Sequence, residues 1–321
     1  MGINVMKKQF PKRLSFLLTL LVTTAGLSQC MASGPFNDFD INNSSIASSE
    51  IHQGGPPRDG IPSIDKPIFV SLNQANHLNA QDRILGLQRN GISKAYPISI
   101  LNWHEIVNDE IGGEAVVVSF CPLCGTGVAF AAHAGGKKLS FGVSGLLYNS
   151  DVLLYDRETE SLWSQLLTRA ISGPMKDTSL KLIPLEHTSW VDWQKRHPQT
   201  LVLSTDSGYS RDYTSDPYAG YEDSKSIYFP VSHRDPRYHP KERVLGLEID
   251  GQFKAYPFAE LSRTDGVVKD QINGRELTIH YDNNNVSARA IDVTGKPLTG
   301  IDAFWFAWIA FHPETDVFKA P

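Results

Sequence analysis

Cysteine is scarce: the 321-residue chain has three. That excludes a disulfide-dense scaffold, which needs several pairs in a short chain. Long apolar runs are equally scarce. The run from Leu14 to Val22 falls well short of the roughly 20 residues that a membrane-spanning helix takes, and nothing later approaches that length. Basic tracts are missing beyond residue 13. Four of the 30 bases (Lys7, Lys8, Lys12, Arg13) lie at the start; the other 26 face 35 acids, a formal balance of −9. That balance argues against a nucleic-acid partner. With 41% hydrophobic and 20% charged residues, the composition is globular and excludes collagen-like, coiled-coil and mostly disordered chains.

What is there begins with a leader. Lys7 to Arg13 and the apolar run after them read as a secretory signal over residues 1–30. Leu27-Ser28-Gln29-Cys30 resembles a bacterial lipoprotein box, in which Cys30 is acylated and tethers the mature chain to a membrane. Gln29 departs from the small residue usual before that cysteine. The alternative is simple cleavage near Ala32, which removes Cys30. Either way the chain is expected outside the cytoplasm, periplasmic or membrane-anchored. Residues 31–55 are rich in Ser, Asn, Asp and Gly and predict a flexible tether.

Beyond the tether, segments recur. Arg83-Ile84-Leu85-Gly86-Leu87 returns as Arg243-Val244-Leu245-Gly246-Leu247, and Lys94-Ala95-Tyr96-Pro97 as Lys254-Ala255-Tyr256-Pro257, both at an offset of 160. Trp190-x-x-Trp193-x-x-x-His197-Pro198-x-Thr200 returns as Trp305-x-x-Trp308-x-x-x-His312-Pro313-x-Thr315. Each copy predicts a hairpin around Asn-Gly or Asp-Gly, a helix after the proline (Ile98 to Val107 in the first) and an alternating strand. The expected fold is strand-rich α+β, built as a duplicated pair: residues 56–210 with a long insertion, then 211–321 with a connecting loop and a shorter copy. In the insertion, Ser161 to Leu167 has helical character. Residues kept in both copies are assigned to the scaffold. His197 and His312 are thus expected to bond nearby backbone rather than a metal.

Three reactive residues occur in the first copy only. Cys121 faces Asp282, Cys124 faces Asn285 and His104 faces Thr264. Cys121-Pro122-Leu123-Cys124-Gly125 sits between two strand-like runs and has the form of a metal knuckle. Proline fixes the turn, glycine permits positive φ, and backbone N–H groups point at the sulfurs. Two thiolates held side by side suit Zn²⁺ or Cu(I). The Gly-Thr-Gly run after Cys124 is poor helix material, unlike the helix start of a thioredoxin-type pair. One knuckle supplies two ligands, and there is no second CxxC. His104 is the leading third ligand, because its helix precedes the cysteine strand. His104-Glu105-Ile106-Val107-Asn108 lacks the second histidine of a zinc-protease helix, so that assignment is rejected. His133, His187 and His233 have weaker claims.

The insertion adds a polar cluster: Ser144, Asn149, Asp151, Asp156, Arg157, Trp163 and Gln165. It reads as a small-molecule pocket, or as a turn and helix start with Thr159 as cap.

Several stretches together are similar to one known family: Asp59 to Asp65, Ser119 to Gly125, Phe141 to Gly145, Asp156 to Gln165, Pro240 to Val244 and Phe304 to Thr315. The chain resembles the bacterial domain of unknown function DUF3179 from Gly55 onward. The resemblance implies an exported or lipid-anchored protein and brings no activity with it. Three functions stay open from the residues. The first is a thiolate metal site (Cys121, Cys124, His104) binding Zn or Cu, whose fourth position, if open, permits catalysis or handover. The second is a thiol–disulfide oxidoreductase using Cys121 and Cys124. The third is a non-enzymatic module that binds a small molecule or protein through the insertion and the aromatic loop Tyr209 to Tyr228, with the cysteines as a staple.

Overall fold

Local turn chemistry builds the hairpins. Arg83–Arg89 pairs antiparallel with Ile92–Pro97 around Asn90 and Gly91. Both turn residues lie in the left-handed region, φ 51° and 77°, as a two-residue type I′ turn requires. Pro97 then leads into the helix Ile98–His104. This helix is shorter than its apolar spacing predicts. Glu105 closes it at φ 56°, and Ile106–Ile111 continues as a strand paired with Glu114–Cys121. Ile106 and Val107 are apolar because they line a sheet, not because a helix runs on.

The computed structural model describes Met1, Gly2 and residues 35–321, and residues 35–321 belong to one compact unit. The expected signal sequence, from residue 3 on, and Cys30 lie outside the described residues. Residues 35–53, expected within a flexible tether, are instead packed. Ile51–Gln53 pairs with the strand Phe141–Tyr148, and Phe39 and Ile51 are buried. The polar average of this stretch masks Phe36, Phe39, Ile41, Ile46 and Ile51, which together cover one edge of the insertion.

The pairing at 83–97 recurs 160 residues on. Arg243–Ile249 pairs with Gln252–Pro257 in the same register, Leu245↔Tyr256 matching Leu85↔Tyr96. Further strands repeat the arrangement. Glu186–Ser189 lies antiparallel to Arg83–Arg89, and Gly300–Phe304 to Arg243–Ile249. Leu201–Leu203 runs parallel to Ile92–Pro97, and Asp316–Val317 to Gln252–Pro257. An eight-stranded sheet contains both Thr126–Ala131 and Gly300–Phe304, which meet at Gly127↔Asp302. Strands from either side of residue 210 therefore share one sheet. The fold is strand-rich, with several sheets and only short helices.

The recurring side chains explain themselves as scaffold. Lys94 Nζ reaches Asp109 at 2.7 Å and Tyr96 donates to the same carboxylate at 2.6 Å. Lys254 and Tyr256 do the same to Asp270, at 2.7 and 2.9 Å. Trp193 donates to Thr200 and Trp308 to Thr315. Each tryptophan lies flat on a glycine: a Cβ on Gly86 would sit 2.3 Å from the Trp193 ring, and one on Gly246 2.2 Å from Trp308. His197 and His312 do not bond backbone through their rings as expected. His197 lies against Trp193 and reaches Ser93, while His312 stacks on Phe253.

In the insertion, Leu162–Ser164 is a strand rather than part of a helix. Asp156 does not start a helix either. Its carboxylate closes a tight turn by accepting from the Thr159 N–H and hydroxyl, and from Trp163 Nε1 at 2.8 Å. No regular element occurs between Leu203 and Arg243, where Tyr221 is buried.

Candidate functional site

Two hairpin tips meet over the apolar core. The first joins Glu114–Cys121 to Thr126–Ala131 and carries the knuckle, with Cys121 opposite Thr126. Gly125 turns the chain at φ 61°, and a Cβ there would lie 2.7 Å from the Phe304 ring, so only glycine fits. Phe304 N–H donates to the Cys124 carbonyl at 2.7 Å and fixes the tip. The second joins Phe141–Tyr148 to Asp151–Asp156 through Asn149 and Ser150. Both turn residues have positive φ, 52° and 65°, as a type I′ turn demands. A serine there costs on the order of 1 kcal/mol relative to glycine. What it brings is a carbonyl that faces both sulfurs: Cys124 Sγ donates to Ser150 O at 3.2 Å, with Cys121 Sγ at 3.9 Å.

The next residue completes the group. The two Sγ atoms and an Asp151 carboxylate oxygen all lie within 4.8 Å of one another, and all three residues are buried. Both cysteines are free. Asp151 Oδ2 accepts from Leu166 N–H at 3.1 Å, whereas Oδ1 is buried with no partner. Ser150 Oγ and Gln165 Oε1 are also buried and unpartnered, although Gln165 is anchored by donating to Ser119 Oγ at 3.0 Å. Native interiors rarely leave such atoms unsatisfied. The Tyr221 hydroxyl is also buried, in the apolar core that holds both cysteines, with the Tyr228 backbone beside it.

Among the described residues, the charges that act most on these thiols are acidic. Burial pushes the Cys121 thiol up, and the Cys124 thiol further, with Asp151 adding to both. Burial raises the Asp151 carboxyl to about 7 against the bonds that favour its charge. Glu105, whose αL backbone turns it from the helix toward this group, is raised to about 8 by burial and then by Asp151. Neutral, protonated forms are favoured throughout, and a bound cation would reverse that preference.

His104 is not brought to the sulfurs. One ring nitrogen meets Pro62 O at 2.7 Å and the other the Tyr213 hydroxyl at 2.7 Å, so both are engaged elsewhere. The ring points to the segments before Ser63 and after Asp206, while its neighbour Glu105 faces the carboxylate side. His187 is buried, and its Nε2 accepts from Gly127 N–H at 3.0 Å. His133 is exposed, and so is His233, which bonds Ser232.

Of the insertion residues, Asp151 and Gln165 join the cysteine site. Asn149 holds the tip in place through Ala310 O and Ser232 N–H. Ser144 bonds Leu153 O, Arg157 bonds Asp65 and Ser63, and Trp163 with Asp156 makes the turn described above. Glu105 was missed as a site residue, and Ser150 and Tyr221 stood out only as members of the insertion loop and of the aromatic loop Tyr209 to Tyr228. No sequence signal marks a Glu or Ser that will adopt positive φ, and only the long-range meeting of two hairpins gives either a role.

The family model described as "Protein of unknown function (DUF3179)" matches residues 58–297. The chain belongs to the DUF3179 family. No curated protein and no solved structure matches it. The match spans both hairpin tips and the Tyr221 segment, so the whole cluster lies within the DUF3179 region. Among the described residues no helix is long and apolar enough to cross a membrane.

Proposed function

We propose that this DUF3179 protein binds a thiophilic metal ion through Cys121, Cys124 and Asp151, with Asp151 in the place first expected of His104. The observation that carries this is the convergence of three ligand atoms of the right type within 4.8 Å, all on buried residues. Soft thiolates favour Zn²⁺ or Cu(I) over harder cations. Charge favours Zn²⁺, because two thiolates and a carboxylate leave a divalent ion at −1 but Cu(I) at −2 in a dry interior. The recurring registers support a duplicated scaffold in which only the first copy carries the chemistry. The N-terminal leader supports an exported protein, periplasmic or tethered through an acylated Cys30.

The test is metal uptake by reduced, metal-depleted protein in competition with a chromophoric chelator. One Zn²⁺ or Cu(I) per chain, lost in Cys121→Ser and weakened in Asp151→Asn, is expected. A wild type that takes up neither ion overturns the proposal.

Thiol–disulfide exchange has one observation behind it: the two thiols are free and adjacent. Exchange needs a reachable thiolate. Here the sulfur residues are 1% and 0% exposed and burial favours the thiols, so the geometry supports a metal better.

A further inference from the structure

We infer that the Cys121–Cys124–Asp151 centre is an open, three-ligand site whose fourth position takes a small oxygen- or nitrogen-donor ligand held by Ser150, Gln165 and Tyr221. This deepens the metal-binding proposal and rests on it. Structural zinc sites close their shell with four protein ligands, whereas sites that do chemistry keep three and leave one position for water or substrate. Among the described residues, the group of potential ligands stops at three.

The polar atoms around it say what the fourth position is built for. Ser150 Oγ and Gln165 Oε1 are buried without a hydrogen-bond partner, and the buried Tyr221 hydroxyl has the Tyr228 backbone N–H beside it, which leaves its own O–H free to donate. Their residues are 0%, 0% and 2% exposed. None belongs to the three ligands, yet each is tied to the site. Ser150 offers its carbonyl to both sulfurs. Gln165 precedes the Leu166 N–H that holds Asp151. Tyr221 packs with the cysteines, and both sulfurs act on its hydroxyl. An apolar occupant would leave all three unsatisfied, at a cost of about 1–3 kcal/mol each. A small polar ligand on the metal, such as water, hydroxide or a compact anion, answers two donors and an acceptor.

Tyr221 comes from the connecting segment, and that segment is held down. Lys241 Nζ lies 3.9 Å over the Tyr221 ring and donates to the carbonyls of Ser224 and Ser226, at 2.8 and 2.5 Å. The Tyr221 ring is thus held from outside the two hairpins.

The experiment loads the full chain with Co²⁺, whose visible bands report its coordination, and adds azide as the probe. A saturable spectral change is expected in the wild type. Tyr221→Phe, which keeps the ring, should weaken azide binding roughly three- to tenfold while Co²⁺ uptake stays at wild-type strength, the worth of one hydrogen bond. Ser150→Ala provides the second variant, with the same expectation, should Tyr221→Phe fail to fold. If Co²⁺ binds and azide leaves the spectrum unmoved, the site is closed and this inference falls while the metal proposal stands. Azide binding at wild-type strength in both variants also overturns it. Absence of Co²⁺ uptake overturns the metal proposal itself, and this inference with it.

Discussion

Glu105→Gln should stabilise the metal-free protein, and should do so increasingly as the pH rises above 5. Glu105 is 7% exposed, and burial with the field of Asp151 lifts its carboxyl from 4.5 to about 8. The folded-state value lies above the unfolded one. Its contribution is therefore fully present below about pH 4.5 and is lost as pH rises toward 8. At pH 7 the folded protein must hold a proton that the unfolded chain has released. Each pH unit over that window costs about 1.4 kcal/mol, so the penalty at pH 7 is about 3 kcal/mol. Glutamine has nearly the same shape and no charge to lose. Removing the carboxyl also relieves Asp151. At roughly 2 °C per kcal/mol for a chain of this size, Tm should rise by roughly 6 °C at pH 7 and by roughly 2 °C at pH 5. The assay is thermal denaturation of both proteins in chelator at the two pH values. An equal shift at pH 5 and pH 7, or a variant less stable at pH 7, would refute the reasoning.

Other perturbations test the scaffold and the site separately. Gly86→Ala and Gly246→Ala each drive a methyl group into a tryptophan ring, at 2.3 and 2.2 Å, and each should cost about 1–3 kcal/mol in chemical denaturation. Lys94→Met strands Asp109 in a pair whose side chains are 8% and 6% exposed, and should cost about 3–5 kcal/mol. Lys254→Met disturbs the more exposed copy, at 19% and 17%, and should cost less than half of that. Metal uptake should release two to three protons at pH 7, because both thiols are raised and Asp151, at about 7, is half protonated. Above pH 8 the count should fall to two, measured by calorimetry in buffers of different ionisation enthalpy; fewer than two at pH 7 would mean that the thiols are not both ligands.

The scaffold was largely legible because its signals are local. Asn90-Gly91 and Asp250-Gly251 announce hairpins through positive φ, and Pro97 and Pro257 mark helix starts. The cysteine turn was legible for the same reason: Pro122 and Gly125 lie within the motif that they shape. Its partner was not. Asp151 stood out only as one of several polar residues in the insertion, 27 positions after Cys124, and nothing local says that two hairpin tips will meet. The error over His104 is a matter of which side it faces. Helical spacing brings it near the cysteine strand, but Pro62 and Tyr213 arrive from segments 42 and 109 residues away and capture both ring nitrogens. The packed segment 35–53 was hidden by averaging, since five well-spaced apolar residues suffice to dock a stretch that is otherwise polar.

X-ray absorption at the metal edge, on reduced full chain loaded with one equivalent of Zn²⁺, goes most directly to the centre. Two sulfurs at about 2.3 Å with oxygen or nitrogen neighbours at about 2.0–2.2 Å are expected, and one sulfur should vanish in Cys124→Ser. A shell of oxygen and nitrogen alone in the wild type would show that the two thiols hold no metal.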